Sequence, residues 1–163
     1  MTRFAPIPPA DPLPGHRLRL EHVVRAAKLI DPVFLNTPQF NCEPLSEALA
    51  CALTLKLETA NPIRSFKGRG AGYLVASRAT DGSLKGRRLV GASAGNWGQA
   101  LAYACRSLGL PLTLFAATTA NPLKVARMKA LGAEMVLTGH DFDAAKQAGE
   151  AHALATGLGR KAA

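Results

Sequence analysis

The sequence predicts an α/β fold of three layers around a largely parallel sheet. Short apolar segments typical of buried strands alternate with amphipathic segments typical of helices along most of the chain. When strands are separated by helices of about 10–15 residues, right-handed crossovers place neighbouring strands parallel to one another. The chain of 163 residues, of which 48% are hydrophobic and 19% charged, has the composition of a globular domain.

The first part of the chain precedes this regular alternation. Residues 1–16 carry five prolines, which predicts a flexible, extended arm. An amphipathic helix is predicted over 18–30, and Asp31-Pro32 ends it. A second, short helix is predicted over 44–50, because a proline such as Pro44 is suited to a first helical turn.

The first predicted strand and the helix after it begin the alternating part. Residues 52–58 (ALTLKLE) alternate between apolar and polar side chains, as a half-buried strand does. Ser65 is predicted to cap a helix that runs to residue 78 in spite of three glycines. After a turn at Asp81-Gly82, residues 88–92 are predicted to form a short buried strand.

The remaining elements follow the same alternation. A helix is predicted over 97–108, where apolar residues recur at the spacing of one helical face. Strands are predicted over 112–116 and 134–137. The helices that follow them are predicted to start at Asn121-Pro122 and at Asp141, and to end at about residues 131 and 155.

Residues 61–71 (NPIRSFKGRGA) place a lysine where reactivity is expected. Lys67 lies in the first helical turn, where the positive end of the helix dipole disfavours a charged amine, and Arg64 and Arg69 act in the same direction. An amine must be neutral to attack an aldehyde. The glycines that follow would let a flat ring or a backbone approach closely. From spacing alone, a solvated lysine on a glycine-tolerant helix is the alternative.

Residues 91–99 (GASAGNWGQ) join a predicted strand to a predicted helix. Sheets of α/β proteins place ligands at such junctions, and the amides at a helix start bind anions. Ser93 and Asn96 would add a hydroxyl and an amide group, which suits a carboxylate or phenolate oxygen. A capped turn, with Trp97 filling the core, is the alternative. The GxGxxG motif of dinucleotide-binding proteins is not present.

Together these residues resemble the pyridoxal-phosphate-dependent threonine and serine dehydratases, which have the tryptophan synthase β-subunit fold. The lysine motif of that family, Ser-Phe-Lys-x-Arg-Gly-Ala, is matched at residues 65–71, and its Ser-x-Gly-Asn loop at residues 93–96. The flanking segments 36–38 (NTP), 55–58 (LKLE) and 131–134 (LGAE) agree in order and separation. The resemblance covers roughly residues 31–150 and implies that residues 17–163 are the amino-terminal part of such an enzyme.

The resemblance implies a role for each matched residue. Lys67 would bind pyridoxal 5'-phosphate covalently and later move the α-proton of the substrate, while Phe66 would pack against the cofactor ring. Asn96 would hydrogen-bond the phenolic oxygen of that ring. Ser93, Gly95 and Asn96 would hold the substrate carboxylate. The implied reaction is the elimination of water from serine or threonine, which gives a 2-oxo acid and ammonia.

The sequence departs from the dehydratase pattern in some residues and in length. Trp97 stands where dehydratases often carry histidine, whereas Gly68 stands where threonine synthases usually carry aspartate. Related racemases, diaminopropionate lyases and a non-catalytic module of the same fold are alternatives. The glycine-rich phosphate-binding segment of the family has no counterpart after Asp141. We therefore expect a truncated, impaired lyase that lacks its second half or assembles as a homo-oligomer.

Composition bears on other classes of function. The net charge is +9, and residues 56–88 hold eight Lys and Arg against two acidic residues. Such a basic segment suits a phosphate-bearing small ligand, and it contains no recognisable nucleic-acid-binding motif. We therefore expect a small-molecule amino acid as the partner, and neither nucleic acid nor membrane. No apolar run approaches the roughly 18 residues of a spanning helix, and the start of the chain does not resemble a secretory signal. A cytoplasmic location is expected.

The cysteines and histidines show no spacing typical of a disulfide framework or a metal site. The three cysteines are expected to be reduced, with Cys105 facing a helix core. The four histidines are expected to lie on the surface or in satisfied core positions, and no metal is expected.

Overall fold

The computed structural model describes residues 19–156, so the predicted arm over 1–16 lies outside the described residues. The helices within them are α1 (Leu20–Leu29), α2 (Glu43–Ala48), α3 (Lys67–Thr80), α4 (Asn96–Ser107), α5 (Pro122–Ala130) and α6 (Phe142–Ala155). The strands are β1 (Gln39–Asn41), β2 (Thr54–Lys56), β3 (Leu89–Ala92), β4 (Leu112–Ala116) and β5 (Glu134–Leu137). Short 3-10 turns cover Pro32–Phe34 and Glu58–Ala60.

The central sheet has three parallel strands in the order β3-β4-β5. Leu89 pairs with Leu112, and Thr113 pairs with Glu134. Each connection contains one helix, α4 between β3 and β4 and α5 between β4 and β5. The strands predicted over 88–92, 112–116 and 134–137 are therefore confirmed, together with their parallel arrangement.

Two consecutive residues of β4 show that helices cover both faces of this sheet. Leu114 belongs to the core that also contains Leu101 of α4. Phe115 points to the opposite face, because side chains alternate along a strand, and there it contacts Gly149 of α6. Each fully buried side chain of this size stabilises the fold by about 1.5–3 kcal/mol. The predicted three-layer architecture is confirmed.

The strand predicted over 52–58 belongs to a separate pair. Only residues 54–56 are extended, and they pair antiparallel with β1, which the sequence did not predict. Residues of β1 are exposed along its whole length, so β1 has no alternation of burial that a sequence pattern could show. The regular alternation of 52–58 predicted a longer strand than the two-stranded pair provides.

The starts of three helices test the predicted caps. Asn121 accepts hydrogen bonds from the backbone amides of Leu123 and Lys124, and Asp141 accepts one from Ala144, as predicted. The prediction for Ser65 is wrong by one position, because the N-cap residue of α3 is Phe66, whose side chain cannot cap. Ser65 lies one residue earlier, and its Oγ accepts a hydrogen bond from the Lys67 amide at 3.3 Å.

Candidate active site

Lys67 is the first residue of α3, and its side chain is exposed. Its Nζ lies 4.7 Å from the centroid of the Phe66 ring, a cation–π contact of the kind found at exposed sites. Phe66 is itself 58% exposed. The structure therefore brings an amine and an aromatic face together at one helix start, where both are open to a ligand.

The loop before Lys67 is held by a buried asparagine. The Oδ1 of Asn61 accepts hydrogen bonds from the amides of Ile63 and Ser65, each at 3.2 Å. Its Nδ2 donates to the carbonyl of Ser65 at 3.0 Å and to that of Glu58 at 2.6 Å. These bonds support a loop in which Arg64 adopts a φ of 54°, a left-handed conformation that costs a non-glycine residue energy. This role of Asn61 was not predicted from the sequence, although Asn-Pro is a known turn signal.

Two of the glycines after Lys67 face aromatic rings of the same protein. A Cβ on Gly68 would lie 2.2 Å from the Phe34 ring, so this glycine admits a side chain of its own protein. The expectation that a flat ring approaches closely is confirmed at Gly68, where the ring is that of Phe34 and not of a ligand. A Cβ on Gly70 would lie 3.8 Å from the Trp97 ring.

The second predicted segment forms a local turn at the end of β3. Ser93 is buried, and its Oγ accepts hydrogen bonds from the amides of Gly95 at 3.3 Å and Gly98 at 3.0 Å. Gly95 is the N-cap residue of α4 and has open space where a Cβ would be. The alternative of a capped turn is correct for Ser93, and this does not prevent its hydroxyl hydrogen from being donated to a ligand.

Asn96 occupies the first position of α4 and is exposed. Within residues 19–156, the backbone amides of Asn96 and Trp97 have no hydrogen-bond partner, as is usual for the first turn of a helix. Because Trp97 faces Gly70, one turn after Lys67, the starts of α3 and α4 lie side by side. The structure thus places both motifs at neighbouring helix starts.

Among the described residues, Asp81, Tyr103 and Cys105 have a shifted pKa, and they lie outside this arrangement. Burial raises the pKa of the Cys105 thiol to about 12, and the residue faces the helix core as predicted. Burial also raises the pKa of Tyr103, with a further contribution from Asp31. An open depression of about 520 Å³ lies along α1, lined by Leu20, Glu21, Val24, Arg25 and Lys28, and contains none of the predicted site residues.

Residues 19–156 also bear on two other functions, metal binding and membrane insertion. In this part of the chain, no group of three or more His, Cys, Asp or Glu side chains is placed to hold a metal ion. Every helix in the same range is too short or too polar to span a lipid bilayer.

Comparison with known families decides what kind of protein carries this arrangement. The sequence profile of the pyridoxal-phosphate-dependent enzyme family matches residues 30–161, which is most of the chain. The chain belongs to this family. The matched region contains all the predicted site residues, namely Phe66, Lys67, Ser93, Gly95 and Asn96.

Within this family, the chain is similar to dehydratases. It is 35% identical over 130 residues to the biosynthetic L-threonine dehydratase of Halalkalibacterium halodurans, a match that covers 78% of this chain and 31% of that protein. It is 36% identical over 121 residues to the L-serine dehydratase/L-threonine deaminase of Mus musculus, covering 74% and 36%. The chain therefore spans about a third of the length of these curated relatives.

The structure agrees with the sequence comparison. It is similar to the processed form of threonine deaminase isoform 2 from Solanum lycopersicum, with a TM-score of 0.72 and 30% identity over 85% of this chain and 40% of that one. The match confirms the predicted fold class, that of the tryptophan synthase β-like pyridoxal-phosphate enzymes, over part of their length. The predicted relationship to the threonine and serine dehydratases is also confirmed.

Proposed function

We propose that this chain supplies the lysine-bearing part of a pyridoxal-phosphate-dependent lyase that eliminates water from serine or threonine. The observation that carries the proposal is the position of Lys67, an exposed amine at the start of α3, beside the start of α4. The similarity to named threonine and serine dehydratases supports the substrate class. The products would be a 2-oxo acid and ammonia.

The described residues offer chemical groups that suit the cofactor, and these groups are accessible to it. The Lys67 amine is exposed for covalent attachment, and the exposed Phe66 ring offers an apolar face to a pyridine ring. Open space beside Gly95 leaves room near the start of α4. When bound, pyridoxal phosphate supplies an electron sink for the charge that develops at the substrate α-carbon.

The protein residues would orient the substrate and move its proton. The Nζ of Lys67 would remove the proton from the α-carbon. The side-chain amide of Asn96 would donate to the phenolic oxygen of the cofactor. The backbone amides of Asn96 and Trp97, together with the hydroxyl of Ser93, would donate to the substrate carboxylate, since helix-start amides favour anions. Gly95 would allow that carboxylate to approach the backbone.

The proposal includes a polypeptide partner. Phe66 is 58% exposed, and Leu123 is 79% exposed at the start of α5, which follows the carboxyl end of β4. Apolar surface of this kind, at the carboxyl end of a parallel sheet, is usually covered by protein. A second copy of this chain, or a chain carrying the rest of the family's fold, would provide that cover and further donors for the cofactor phosphate.

Covalent trapping tests the central assignment. The chain is incubated with pyridoxal phosphate, reduced with borohydride and mapped by peptide mass spectrometry. We expect the label on Lys67 and its loss in Lys67→Ala, while the exposed control Lys85→Ala keeps it. A label spread evenly over the lysines, or concentrated on Lys56 or Lys85, contradicts the proposal. The reaction is then tested on the assembled protein, meaning this chain in complex with its polypeptide partner, by measuring the 2-oxo acid released from serine or threonine.

A further inference from the structure

We infer that Arg69 is a positioning residue for Lys67, acting by anchoring the first turn of α3 to the segment before β1. The inference rests on the proposed function, because it takes Lys67 as the reactive amine. Residues two positions apart on a helix are separated by about 200° of rotation around the helix axis, so their side chains lie on nearly opposite faces. Arg69 therefore acts through the shared backbone and not by touching the Lys67 amine.

The guanidinium of Arg69 reaches three groups that are distant in sequence. Its Nε donates to the carbonyl of Phe34 at 2.8 Å. Its Nη2 donates to the Oγ1 of Thr37 at 3.1 Å and lies 2.7 Å from the Oε1 of Glu58. These bonds link the start of α3 to the segment before β1 and to Glu58, which follows β2. Charge-assisted bonds of this kind are stronger than neutral ones.

The partners of Arg69 are themselves fixed. Thr37 is buried, and its hydroxyl donates to the Oε1 of Glu58 at 3.0 Å. The Nζ of Lys56 donates to the carbonyl of Thr37 at 3.0 Å. Thr37 and Glu58 therefore restrain each other in addition to binding Arg69.

Packing beside Arg69 reinforces the anchor. Phe34 is 2% exposed and fills the space at Gly68, while its ring meets that of Tyr103 edge-on at 5.3 Å. On the other side of Lys67, Asn61 holds the backbone of Ser65. The backbone is thus held by hydrogen bonds before and after Lys67, whereas the side chain of Lys67 is exposed and accessible to a ligand.

The carboxylate of Glu58 limits how much this network contributes to stability. Its Oε2 is buried and has no hydrogen-bond partner among the described residues. A buried carboxylate oxygen without a donor is costly, and ion pairs of this kind are often replaceable by apolar groups without loss of stability. The pair does supply geometry, because a forked donor fixes direction as well as distance. Placement of a reactive group within a fraction of an ångström has large effects on its reactivity.

Arg69→Lys tests the inference, because it keeps the positive charge and removes the forked pair of N–H donors. Arg87→Lys is the matched control, since Arg87 is exposed and lies in a turn away from α3's start. One measurement is the share of borohydride-trapped pyridoxal phosphate on Lys67 relative to the other lysines. The other is hydrogen–deuterium exchange of residues 66–71 relative to β4. Global stability is followed by thermal unfolding.

In Arg69→Lys we expect the Lys67 share of the label to fall about tenfold or more, because misplacement of a reactive group by about 1 Å is enough for such a loss. Exchange of residues 66–71 should accelerate while that of β4 stays unchanged. Thr37→Val removes one acceptor of Arg69 and keeps the ion pair, so it should show the same pattern more weakly. This second variant decides the question if Arg69→Lys fails to fold.

Two outcomes overturn the inference. One is an unchanged label share and unchanged exchange of residues 66–71 in the folded variants. The other is faster exchange throughout the protein without a selective loss at Lys67, which is the pattern of a merely structural residue. Absence of label on Lys67 in the unsubstituted chain contradicts the proposed function instead, and the exchange of residues 66–71 then decides whether Arg69 anchors the helix.

Discussion

The two helix starts that form the candidate site are built in different ways. The start of α4 is organised locally, since Ser93 bonds two amides no more than five residues ahead of it. The start of α3 is organised from a distance, since Arg69 bonds a carbonyl 35 residues earlier in the chain. Between them they place an exposed amine and an exposed amide side chain, at Lys67 and Asn96, on neighbouring helices.

This difference separates the function of a residue from its contribution to the fold. Lys67 and Asn96 are exposed and make few contacts within the described residues, so they are available to a ligand. The buried residues around them, Asn61 and Ser93, make the bonds that shape the loops. Substitutions of the first kind should therefore alter activity. Substitutions of the second kind should alter stability, with a loss of activity in addition at Ser93, whose hydroxyl is proposed to bind the substrate carboxylate.

Asn96→Ala is expected to have the largest effect. Loss of one preorganised hydrogen bond to the cofactor should lower serine turnover by the assembled protein about 10²–10³-fold. The free energy of unfolding should change by less than about 0.5 kcal/mol, because the side chain is exposed. Serine turnover and urea unfolding, measured on the same preparation, give the change in rate and the change in the free energy of unfolding. A normal rate would show that the start of α4 does not bind the reacting groups.

Asn61→Ala should give the largest loss of stability. The substitution leaves several backbone groups of the loop without partners, at about 1–3 kcal/mol for each one that stays buried, so a loss of about 3 kcal/mol is expected. Asn41→Ala is the control, because Asn41 is exposed and accepts one hydrogen bond, from Thr54. Urea unfolding measures both variants. Equal, small losses would mean that water replaces the Asn61 side chain.

Ser93→Ala should destabilise the protein less, by about 1–2 kcal/mol, as expected for the loss of a side chain that caps a helix start. Ser83→Ala, at an exposed serine that donates to the carbonyl of Arg78, is the matched control and should change stability by less than about 0.5 kcal/mol. Chemical denaturation compares the two. A loss at Ser93 as large as that at Asn61 would mean that the two buried side chains stabilise their loops equally.

Gly95→Ala should have the smallest effect on stability, less than about 1 kcal/mol, because the cap position tolerates alanine with a modest loss. The backbone of Gly95 is extended, with φ −121°, and nothing lies within 4 Å of an added Cβ. Gly98→Ala is the contrasting variant, since its Cβ would lie 2.6 Å from the Sδ of Met128, and crowding of this kind costs about 1–3 kcal/mol. Thermal unfolding that ranks Gly95→Ala as the more damaging would contradict the open space beside α4.

The sequence by itself determined the features that depend on neighbours along the chain. The parallel strands were visible as short apolar runs, and the caps at Asn121 and Asp141 were visible because a capping side chain bonds amides two or three residues later. The order and spacing of the motifs around Lys67 and Asn96 also predicted the family. The strand and cap signals lie within a few residues, and the motifs are compared in order along the chain, so no knowledge of the tertiary structure is needed.

Only the tertiary structure decided how Lys67 is held. The pairing of β1 with β2, the occupation of the space at Gly68 by Phe34 and the bonds from Arg69 to Phe34, Thr37 and Glu58 all join residues that are far apart in sequence. A guanidinium or a glycine does not reveal its partner in the sequence, because hydrogen bonding and packing depend on which segments meet in space. The chemical identity of the site is therefore encoded locally, and its geometry is set by the packing of the whole fold.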